Sequence, residues 1–310
     1  MTAKTLRIAT RKSALALWQA EHVASLLRDL APDITVNLVP MSTRGDRFLS
    51  APLAQIGGKG LFVKELEQGL LSGQADIAVH SMKDVPVTFP DSLHLAAILT
   101  RENPFDAFVS TRYPDCASLP ANAIVGTSSL RRQCQLLARF PELQVLPLRG
   151  NVNTRLARLD QGDFDAIILA AAGLERLNFH ARITQQLSAE ESLPAIGQGA
   201  IGIECRRDDP ELNTLLAALH DVETAACVRA ERELNRILNG SCQVPIAGYA
   251  VKQDSQLILT GLVGHPDGQR VVQAQKTGHA NNPEAVGAAL AAQLLEQGAG
   301  EVLKSIHQTL

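Results

Sequence analysis

A lysine and an aspartate, Lys83 and Asp84, directly follow the largely apolar segment Ile77–Met82, and Pro86 comes two residues later. Buried strands seldom end in adjacent opposite charges unless those charges lie where the sheet meets solvent or a ligand. In open α/β sheets the ligand crevice lies at the carboxyl ends of the strands. Asp84 is therefore the first candidate for a working carboxylate. The alternative interpretation is an ion pair in a surface turn.

Three segments carry basic residues where a short strand passes into a helix: Ile8–Ser13, Val125–Arg132 and Leu148–Arg155. Each has a small polar residue suited to cap the helix: Ser13, then Ser128 or Ser129, then Asn151. A helix N-terminus carries partial positive charge, so an arginine there costs roughly 0.3–1 kcal/mol unless an anion is bound. Helix N-termini and guanidinium groups both bind carboxylates and phosphates. The three segments together predict a polyanionic ligand, and carboxylates fit at least as well as phosphates.

The surroundings of Cys242 differ from those of the other cysteines. It follows Gly240, a natural C-cap of the preceding charged helix, and precedes Pro245, so an accessible turn is expected. Without a nearby histidine motif it is weak evidence for a hydrolase nucleophile, and covalent attachment of a group is the alternative. Three others lie in helix or strand patterns and are expected to be structural: Cys134, Cys205 and Cys227.

The glycine-rich segment Leu53–Lys64 predicts a loop that closes over a site, because several glycines surround Lys59. An ordinary flexible turn is the alternative interpretation.

Short apolar strands alternate with amphipathic helices, which predicts parallel-type sheets covered on both faces. The predicted strands are Thr5–Thr10, Thr35–Met41, Ile77–Ser81, Ile124–Thr127, Val145–Leu148, Ala166–Ala170 and Ala200–Cys205. The predicted helices are Ser13–Arg28, Leu61–Leu71, Ser129–Arg139, Asn151–Asp160, Val222–Leu238 and Pro283–Gln297. A hairpin of Leu257–Val263 and Arg270–Gln275 is expected around Pro266–Gly268. Thr100–Pro104 and Ile196–Gly199 are the expected crossings between two domains.

The composition of the 310 residues is that of a soluble globular protein, with 45% hydrophobic and 20% charged residues. The formal net charge of -3 argues against extensive nucleic-acid binding. The sequence has no long apolar stretch and no apolar region at its N-terminus, so neither a membrane span nor a secretory signal is expected. The five cysteines are widely spaced, which favours thiols in a reducing cytoplasm, and the eight histidines have no zinc-binding spacing.

Four segments together resemble the porphobilinogen deaminase (hydroxymethylbilane synthase) family: His80–Pro86, Gly126–Gln133, Leu148–Leu156 and Gly240–Pro245. The resemblance implies an α/β fold of three domains. Two are lobes like those of periplasmic binding proteins, with mixed sheets, at residues 1–99 with 200–218 and at residues 105–194. The third, at residues 222–310, is a small α/β domain with an antiparallel sheet. The implied reaction deaminates four porphobilinogen molecules and joins them head to tail into linear hydroxymethylbilane, with release of ammonia.

The resemblance also implies roles for individual residues. Cys242 would hold a dipyrromethane cofactor through a thioether, and Asp84 would be catalytic, hydrogen-bonding pyrrole N–H groups and passing a proton to the leaving amine. The carboxylates of the growing chain would be bound by basic side chains, small polar side chains and backbone groups: Arg11, Ser13, Ser81, Lys83, Thr127, Ser128, Ser129, Arg131, Arg132, Arg149, Gly150, Asn151, Arg155, Arg176, Gln198 and Gly199. Lys59 and Phe62 would belong to the loop over the site. No metal is implied, and a cytoplasmic monomer acting on a small-molecule substrate, without nucleic-acid or membrane partners, is expected.

Two positions depart from the family pattern, and two other protein classes compete. Ser241 stands where the family often has glycine, and Gln55 stands where relatives often carry lysine, which argues against a catalytic role for position 55. A solute-binding protein with two similar lobes would explain the arginines but would not need Cys242. An RNA-binding protein is disfavoured by a pI near 6.2 and by an aromatic content of 4%.

Overall fold

The computed structural model describes residues 5–47, 60–240 and 244–309. These residues form two compact units. In the described part, the first unit comprises residues 5–47, 60–102 and 200–225, and the second comprises residues 103–199, 226–240 and 244–309. Among the described residues, no helix has the length and apolarity that a membrane crossing requires.

Strands and helices alternate through most of the chain. The strands are β1 (Thr5–Arg11), β2 (Thr35–Met41), β3 (Ile77–Ser81), β4 (Leu93–Ile98), β5 (Asp106–Val109), β6 (Ile124–Gly126), β7 (Gln144–Leu146), β8 (Ala166–Ala170), β9 (Gln185–Leu187), β10 (Ile201–Arg206), β11 (Ile246–Gln253), β12 (Gln256–Gly264) and β13 (Val271–His279). The helices are α1 (Ala14–Leu30), α2 (Arg44–Arg47), α3 (Lys64–Leu71), α4 (Leu130–Arg139), α5 (Val152–Asp160), α6 (Ala171–Arg176), α7 (Pro210–Ala217), α8 (Val222–Ile237), α9 (Pro283–Glu296) and α10 (Ala299–Thr309). Three short 3-10 turns complete them: Met82–Asp84, Cys116–Ser118 and His180–Arg182.

The first unit is built on a five-stranded sheet in the order β2-β1-β3-β10-β4. Strand β1 pairs in parallel with β2 and β3, whereas β10 is antiparallel to β3 and β4. Successive residues of a strand face opposite sides, so Ile8 joins the core that contains Leu27 of α1, while Ala9 joins the core that contains Leu66 of α3. Helices thus cover both faces, and the carboxyl ends of β1 and β3 lie at one edge of the sheet.

The second unit contains a sheet of the same pattern, in the order β7-β6-β8-β5-β9. Strand β6 pairs in parallel with β7 and β8, and β5 is antiparallel to β8 and β9. Alternate residues again enter two cores, Ile167 packing with Leu156 of α5 and Ile168 packing with Leu136 of α4. The carboxyl ends of β6 and β8 therefore also lie at one edge.

A smaller sheet in the second unit has the antiparallel order β11-β12-β13. Its core combines Leu259 of β12 with Leu234 of α8 and Leu290 of α9. A Cβ at Gly287 would lie 2.4 Å from the Ala230 carbonyl oxygen, so only glycine allows α9 to approach α8 this closely. The predicted hairpin is confirmed as β12 and β13.

The fold class predicted from the sequence is confirmed: the protein is α/β, with two mixed five-stranded sheets and a small antiparallel C-terminal sheet. The parallel pairing expected from the alternation of strands and helices was wrong for β10, and β5, which was not predicted, is also antiparallel to its neighbours. Both strands follow a crossing between the two units, without a helix that returns the chain to the same sheet, and only such a helix forces parallel pairing. The division into three domains stays a prediction.

Several predicted boundaries were wrong. The helix expected from Leu61 begins at Lys64, because Gly60 has a φ of +81° and Leu61–Val63 form a turn. The strand expected at Val145–Leu148 lies at Gln144–Leu146. Eight of the described strands and helices were not predicted: β4, β5, β9, β11, α2, α6, α7 and α10.

Candidate functional site

Strand β3 passes directly into the turn Met82–Asp84. The Met82 side chain is buried, and a Cβ at Gly202 would lie 2.3 Å from its Sδ, so only glycine leaves room for this side chain. The turn is anchored through Met82, while Lys83 is exposed and Asp84 is half-buried.

Asp84 thus lies at the carboxyl end of β3, the position that the sequence indicated for a working carboxylate. Within residues 5–47, 60–240 and 244–309, no group forms a hydrogen bond or ion pair with the Asp84 carboxylate. These residues therefore leave the carboxylate available to a ligand.

Arg11, the last residue of β1, is held by an acid and an aromatic ring. Its Nε donates to Asp46 at 3.3 Å, its Nη2 forms an ion pair with the same carboxylate, and its Cζ lies 4.3 Å from the centroid of the Phe62 ring. Burial opposes ionisation of Asp46, but hydrogen bonds from Arg11 and Thr43 outweigh it and lower the pKa of this carboxyl. A Cβ at Gly45 would lie 2.1 Å from the Phe62 ring, so only glycine accommodates the ring. Within the fold, Asp46 therefore supplies the negative charge that compensates the positive charge of Arg11.

Gln19 contacts a predicted site residue but was missed from the sequence. Its Nε2 donates to the Ser81 hydroxyl oxygen at 2.9 Å, and that hydroxyl lies 3.2 Å from Gln19 Oε1. Gln19 is buried on the face of α1 that packs against the sheet, and a glutamine on an otherwise apolar helix face is the signal that could have found it. At the start of the same helix, the predicted N-cap Ser13 is confirmed, accepting a hydrogen bond from the Ala16 amide at 3.3 Å.

A buried ionisable pair links strand β3 to its neighbour β10. His80 Nε2 and Glu204 Oε2 are 2.9 Å apart, and both side chains are inaccessible or nearly so. Glu204 Oε1 has no hydrogen-bond partner among the described residues. On α3, burial and the charge of Glu204 raise the pKa of Glu67. Glu204, Glu67 and His80 thus form a polar group next to the end of the strand that leads to Asp84.

The segment between β6 and α4 contains three small hydroxyl residues with different contacts. Ser129 is the N-cap of α4, accepting a hydrogen bond from the Arg132 amide at 3.4 Å. Thr127 Oγ1 accepts a hydrogen bond from the Ser129 amide at 3.2 Å. The Ser128 hydroxyl instead donates to the Leu148 carbonyl oxygen at 3.0 Å. Of the two candidate caps, Ser129 is the cap, and Ser128 ties the end of β6 to the segment before α5.

The guanidinium groups of Arg131 and Arg132 are buried and both bind Asp106. Arg131 Nη2 donates to Oδ2 at 2.7 Å, and Arg132 donates to Oδ1 from Nη2 at 2.8 Å and from Nε at 3.1 Å. Burial opposes ionisation of Asp106, but the charges of the two arginines outweigh it and hold the pKa of this carboxyl well below its usual range. The fold itself supplies an anion at this helix start. Binding of a ligand by these two arginines stays a prediction.

The start of α5 is fixed by Asn151, the confirmed N-cap, which accepts a hydrogen bond from the Thr154 amide at 2.9 Å. Arg155 Nε donates to the Gly150 carbonyl oxygen at 2.8 Å, and Gly150 has a φ of +108°, which favours glycine. Arg149 is half-buried, and burial lowers the pKa of its guanidinium group. Two arginines are thus brought together at this strand-to-helix junction.

The crossing at Ile196–Gly199 joins two further predicted residues to this region. Arg176 is buried, and its Nη2 donates to the Gly199 carbonyl oxygen at 2.8 Å. Gln198 Nε2 donates to Asp106 Oδ1 at 2.9 Å. The segment from Gly197 reads G-x-G-x-x-G, a motif of dinucleotide-binding turns, but it leads into strand β10 and not into a helix, so the required context is missing.

Four positions singled out from the sequence lie outside the described residues: Cys242, Ser241, Lys59 and Gln55. The cysteines that the structure describes are all buried. Burial raises the pKa of Cys116 and Cys134 to about 12 and that of Cys205 to about 11. These thiols are therefore poor nucleophiles.

The predicted site residues form two chemically different sets. In the first unit a half-buried carboxylate ends β3, and in the second unit arginines cluster around the ends of β6 and β8 and the start of α5. This arrangement defines an α/β protein with a candidate acid–base carboxylate in one unit and a candidate anion-binding cluster of arginines in the other.

Two family models match most of the chain. One, described as porphobilinogen deaminase, dipyromethane cofactor binding domain, matches residues 6–214, and the other, described as porphobilinogen deaminase, C-terminal domain, matches residues 225–296. The chain belongs to the porphobilinogen deaminase family, whose members are transferases of tetrapyrrole biosynthesis with a dipyrromethane cofactor. The resemblance identified from four sequence segments is thereby confirmed.

Several solved structures are distantly similar. The VFT2 domain of BvgS from Bordetella pertussis has 17% identity and a TM-score of 0.43, over 74% of this chain and 91% of that chain. The periplasmic aliphatic sulphonate binding protein SsuA from Escherichia coli has 15% identity and a TM-score of 0.41, over 75% of this chain and 70% of that chain. A putative methionine-binding lipoprotein from Bacillus subtilis has 13% identity and a TM-score of 0.42, over 71% and 92%. These likenesses are too distant to bear on the ligand.

Proposed function

We propose that the protein is a hydroxymethylbilane synthase. It deaminates four porphobilinogen molecules and joins them head to tail into linear hydroxymethylbilane, and a dipyrromethane attached covalently to Cys242 is its primer. The observation that carries the proposal is the family match over residues 6–214 and 225–296, with Asp84 at the carboxyl end of β3.

The chemistry of the second unit supports binding of such a ligand. Each pyrrole of the growing chain carries an acetate and a propionate, so the chain is a polycarboxylate. Around Asp106, two guanidinium groups face one carboxylate, which leaves an excess positive charge. Arg131 Nε is buried without a hydrogen-bond partner among the described residues, and such a donor gains from an added acceptor. The residues present therefore fit an anionic pyrrole chain.

Asp84 has two tasks in the proposed reaction. Its carboxylate accepts hydrogen bonds from pyrrole N–H groups and stabilises the positive charge that develops as ammonia leaves. Its protonated form passes a proton to the amine, so the bond between the aminomethyl carbon and nitrogen breaks with ammonia as leaving group. When bound, the dipyrromethane would supply the pyrrole carbon to which the first unit is joined, and the proton on that carbon would be released as the carbon–carbon bond forms.

The other predicted residues bind and enclose the substrate. The basic side chains Arg11, Lys83, Arg149, Arg155 and Arg176 bind acetate and propionate groups, as do Arg131 and Arg132. Ser13, Ser81, Thr127, Ser128, Ser129, Gly150, Asn151, Gln198 and Gly199 assist through hydroxyl, amide and backbone groups. Lys59 and Phe62 belong to a segment that closes over the site. The proposed form is a cytoplasmic monomer, and buried cysteine thiols suit a reducing compartment.

The test is the intact mass of the purified protein with peptide mapping, together with a porphobilinogen turnover assay. We expect an adduct of two linked pyrrole units on Cys242 and release of one ammonia for each porphobilinogen consumed. Cys242→Ser removes the adduct and the turnover, whereas Cys116→Ala, at a buried cysteine, keeps both. An unmodified Cys242 after incubation with porphobilinogen contradicts the proposal and favours a non-catalytic binding protein.

A further inference from the structure

Asp106 is the centre of a buried hydrogen-bond cluster that joins four segments of the second unit. It is the first residue of β5 and is fully buried. Besides the two arginines, the Ser192 hydroxyl donates to Oδ2 at 2.9 Å and Gln198 Nε2 donates to Oδ1 at 2.9 Å. Both carboxylate oxygens are therefore saturated by donors. A carboxylate so enclosed cannot itself contact a substrate.

The cluster fixes the two arginines in different ways. Arg132 donates two hydrogen bonds to one oxygen of Asp106 and a third, from Nη1, to the Ile168 carbonyl oxygen at 2.9 Å. Arg131 donates to Asp106 through Nη2 alone, and its Nη1 donates to the Leu193 carbonyl oxygen at 2.6 Å. Its Nε stays without a partner among the described residues. Asp106 thus orients Arg131 without using all of its donors.

A second buried acid connects this cluster to the C-terminal sheet. Glu231, on α8, accepts hydrogen bonds from the Gly197 amide at 2.7 Å and from the Ala250 amide at 2.9 Å. Gly197 begins the turn that carries Gln198, which donates to Asp106. The contacts therefore run without a break from α8 and β11 to Asp106 and the two arginines.

We infer that Asp106 is a positioning residue, which holds Arg131 and Arg132 in the orientation that binds the carboxylates of the substrate chain. This inference rests on the proposed function. Asp106 acts through the arginines, so its loss weakens substrate binding more than it slows the chemical step.

Asp106→Asn tests the inference because it keeps the shape of the side chain and removes its charge. Loss of charge-assisted hydrogen bonds is expected to raise the apparent KM for porphobilinogen at least about tenfold, while kcat changes by less than about threefold. The fraction of chains that carry the adduct on Cys242, measured by intact mass, falls as well.

The matched control is Asp76→Asn. Asp76 is also a mostly buried acid that binds two arginines, Arg7 and Arg206, but it precedes β3 at the end opposite to Asp84. Its substitution lowers the unfolding midpoint and leaves KM and adduct formation unchanged. If Asp106→Asn likewise changes only the midpoint, or lowers KM, the positioning role is overturned.

Two further outcomes are decisive. If Asp106→Asn does not fold, Ser192→Ala removes one donor to Asp106 and is expected to raise KM about two- to threefold at constant kcat. An unchanged KM in that variant overturns the inference. A wild-type protein without turnover overturns the proposed function and this inference together, whereas an active wild type beside a variant of normal KM overturns this inference alone.

Discussion

The two five-stranded sheets of this protein have the same topology and different chemistry. In each, the second strand of the order pairs in parallel with both neighbours, and the fourth is antiparallel to both of its neighbours, so β1, β2, β3, β10 and β4 correspond to β6, β7, β8, β5 and β9. The first sheet ends β3 in the carboxylate of Asp84, whereas the second ends β8 in the short helix that carries Arg176. The edge of the first unit therefore presents a carboxylate together with the cations Arg11 and Lys83, whereas the equivalent edge of the second unit presents arginines.

The buried acids of the two sheets show the same contrast. Glu204 of β10 lies opposite Ala78 of β3, and Asp106 of β5 lies opposite Ala170 of β8. Glu204 binds a single imidazole and keeps one oxygen without a partner among the described residues, whereas Asp106 binds two guanidinium groups and has both oxygens saturated. The comparison teaches that topology fixes where a buried acid stands, and that the side chains around it decide how fully its charge is compensated.

The largest effect is expected at Asp84. Asp84→Asn removes the group that exchanges protons with the leaving amine, and turnover falls by roughly 10²–10⁴-fold. The unfolding midpoint stays unchanged because none of the described residues pairs with this carboxylate. Steady-state kinetics and thermal unfolding measure the two quantities. Asp91→Asn, at an exposed acid of the same unit, is the control and keeps full activity. Near-normal turnover in Asp84→Asn would contradict a role for Asp84 in proton transfer.

A smaller effect is expected at the arginines of the second sheet. Arg149→Ala or Arg155→Ala removes charge-assisted hydrogen bonds to carboxylates, which weakens substrate binding by roughly ten- to a hundredfold. Cofactor assembly and the length distribution of products, measured by mass spectrometry, shift toward incomplete chains. Arg158→Ala is the control on the same helix, since Arg158 pairs with Asp163 at the surface. A wild-type product profile in both Arg149→Ala and Arg155→Ala would contradict a role for these arginines in anion binding.

The buried acids predict opposite responses of stability to pH. The lowered pKa of Asp106 stabilises the fold at pH values above the ordinary pKa of aspartate, and this stabilisation is lost on acidification. The raised pKa of Glu67 stabilises the fold at low pH, and this stabilisation is lost as the pH rises through the pKa of Glu67 in the folded protein. Glu67→Gln is therefore expected to raise the unfolding midpoint at pH 8, and the gain should shrink near pH 4. Thermal unfolding at both pH values measures it. The control is Glu142→Gln at the surface. A rise in the unfolding midpoint of Glu67→Gln that does not depend on pH would argue against the raised pKa of Glu67.

The smallest effect concerns the start of α5. Asn151→Ala removes the side-chain cap and is expected to lower the free energy of unfolding by about 1 kcal/mol. Asn153→Ala, two residues further on the exposed first turn of the helix, changes it by less than about 0.5 kcal/mol. Denaturant unfolding compares the two. Equal effects would show that the cap does not set the geometry of this arginine-bearing junction.

The sequence predicted features with a local signature and missed those made by distant pairs. Strands Ile77–Ser81 and Ala166–Ala170 each contain a run of at least three apolar residues, and the caps Ser13 and Asn151 stand beside helix patterns, so these were found. Ser129 was one of two candidates for the cap of α4. Strand β5 has only four residues, and no local pattern marks its first residue as the partner of two arginines.

Asp106 lies 25 residues from Arg131 and 92 residues from Gln198 in sequence, and only the pairing of β5 with β8 and β9 brings these segments together. For the same reason, the sequence assigned Arg131 and Arg132 wholly to a ligand, whereas the fold supplies them with an internal acid. Gln19 and Asp46 escaped prediction likewise, since their partners Ser81 and Arg11 stand 62 and 35 residues away.

The most direct test of the division between the two sheets is the series of protein masses that forms after mixing with porphobilinogen. The wild type is expected to show successive increments of one deaminated substrate unit above the mass of the cofactor-bearing protein. Asp84→Asn should show none of these increments, because the first sheet supplies the proton transfer at every step. Arg149→Ala should show early increments and stall before the last. The same stalled pattern in both variants, or a complete series in Asp84→Asn, would contradict the assignment of proton transfer to Asp84 of the first sheet and of binding the growing chain to Arg149 beside the second.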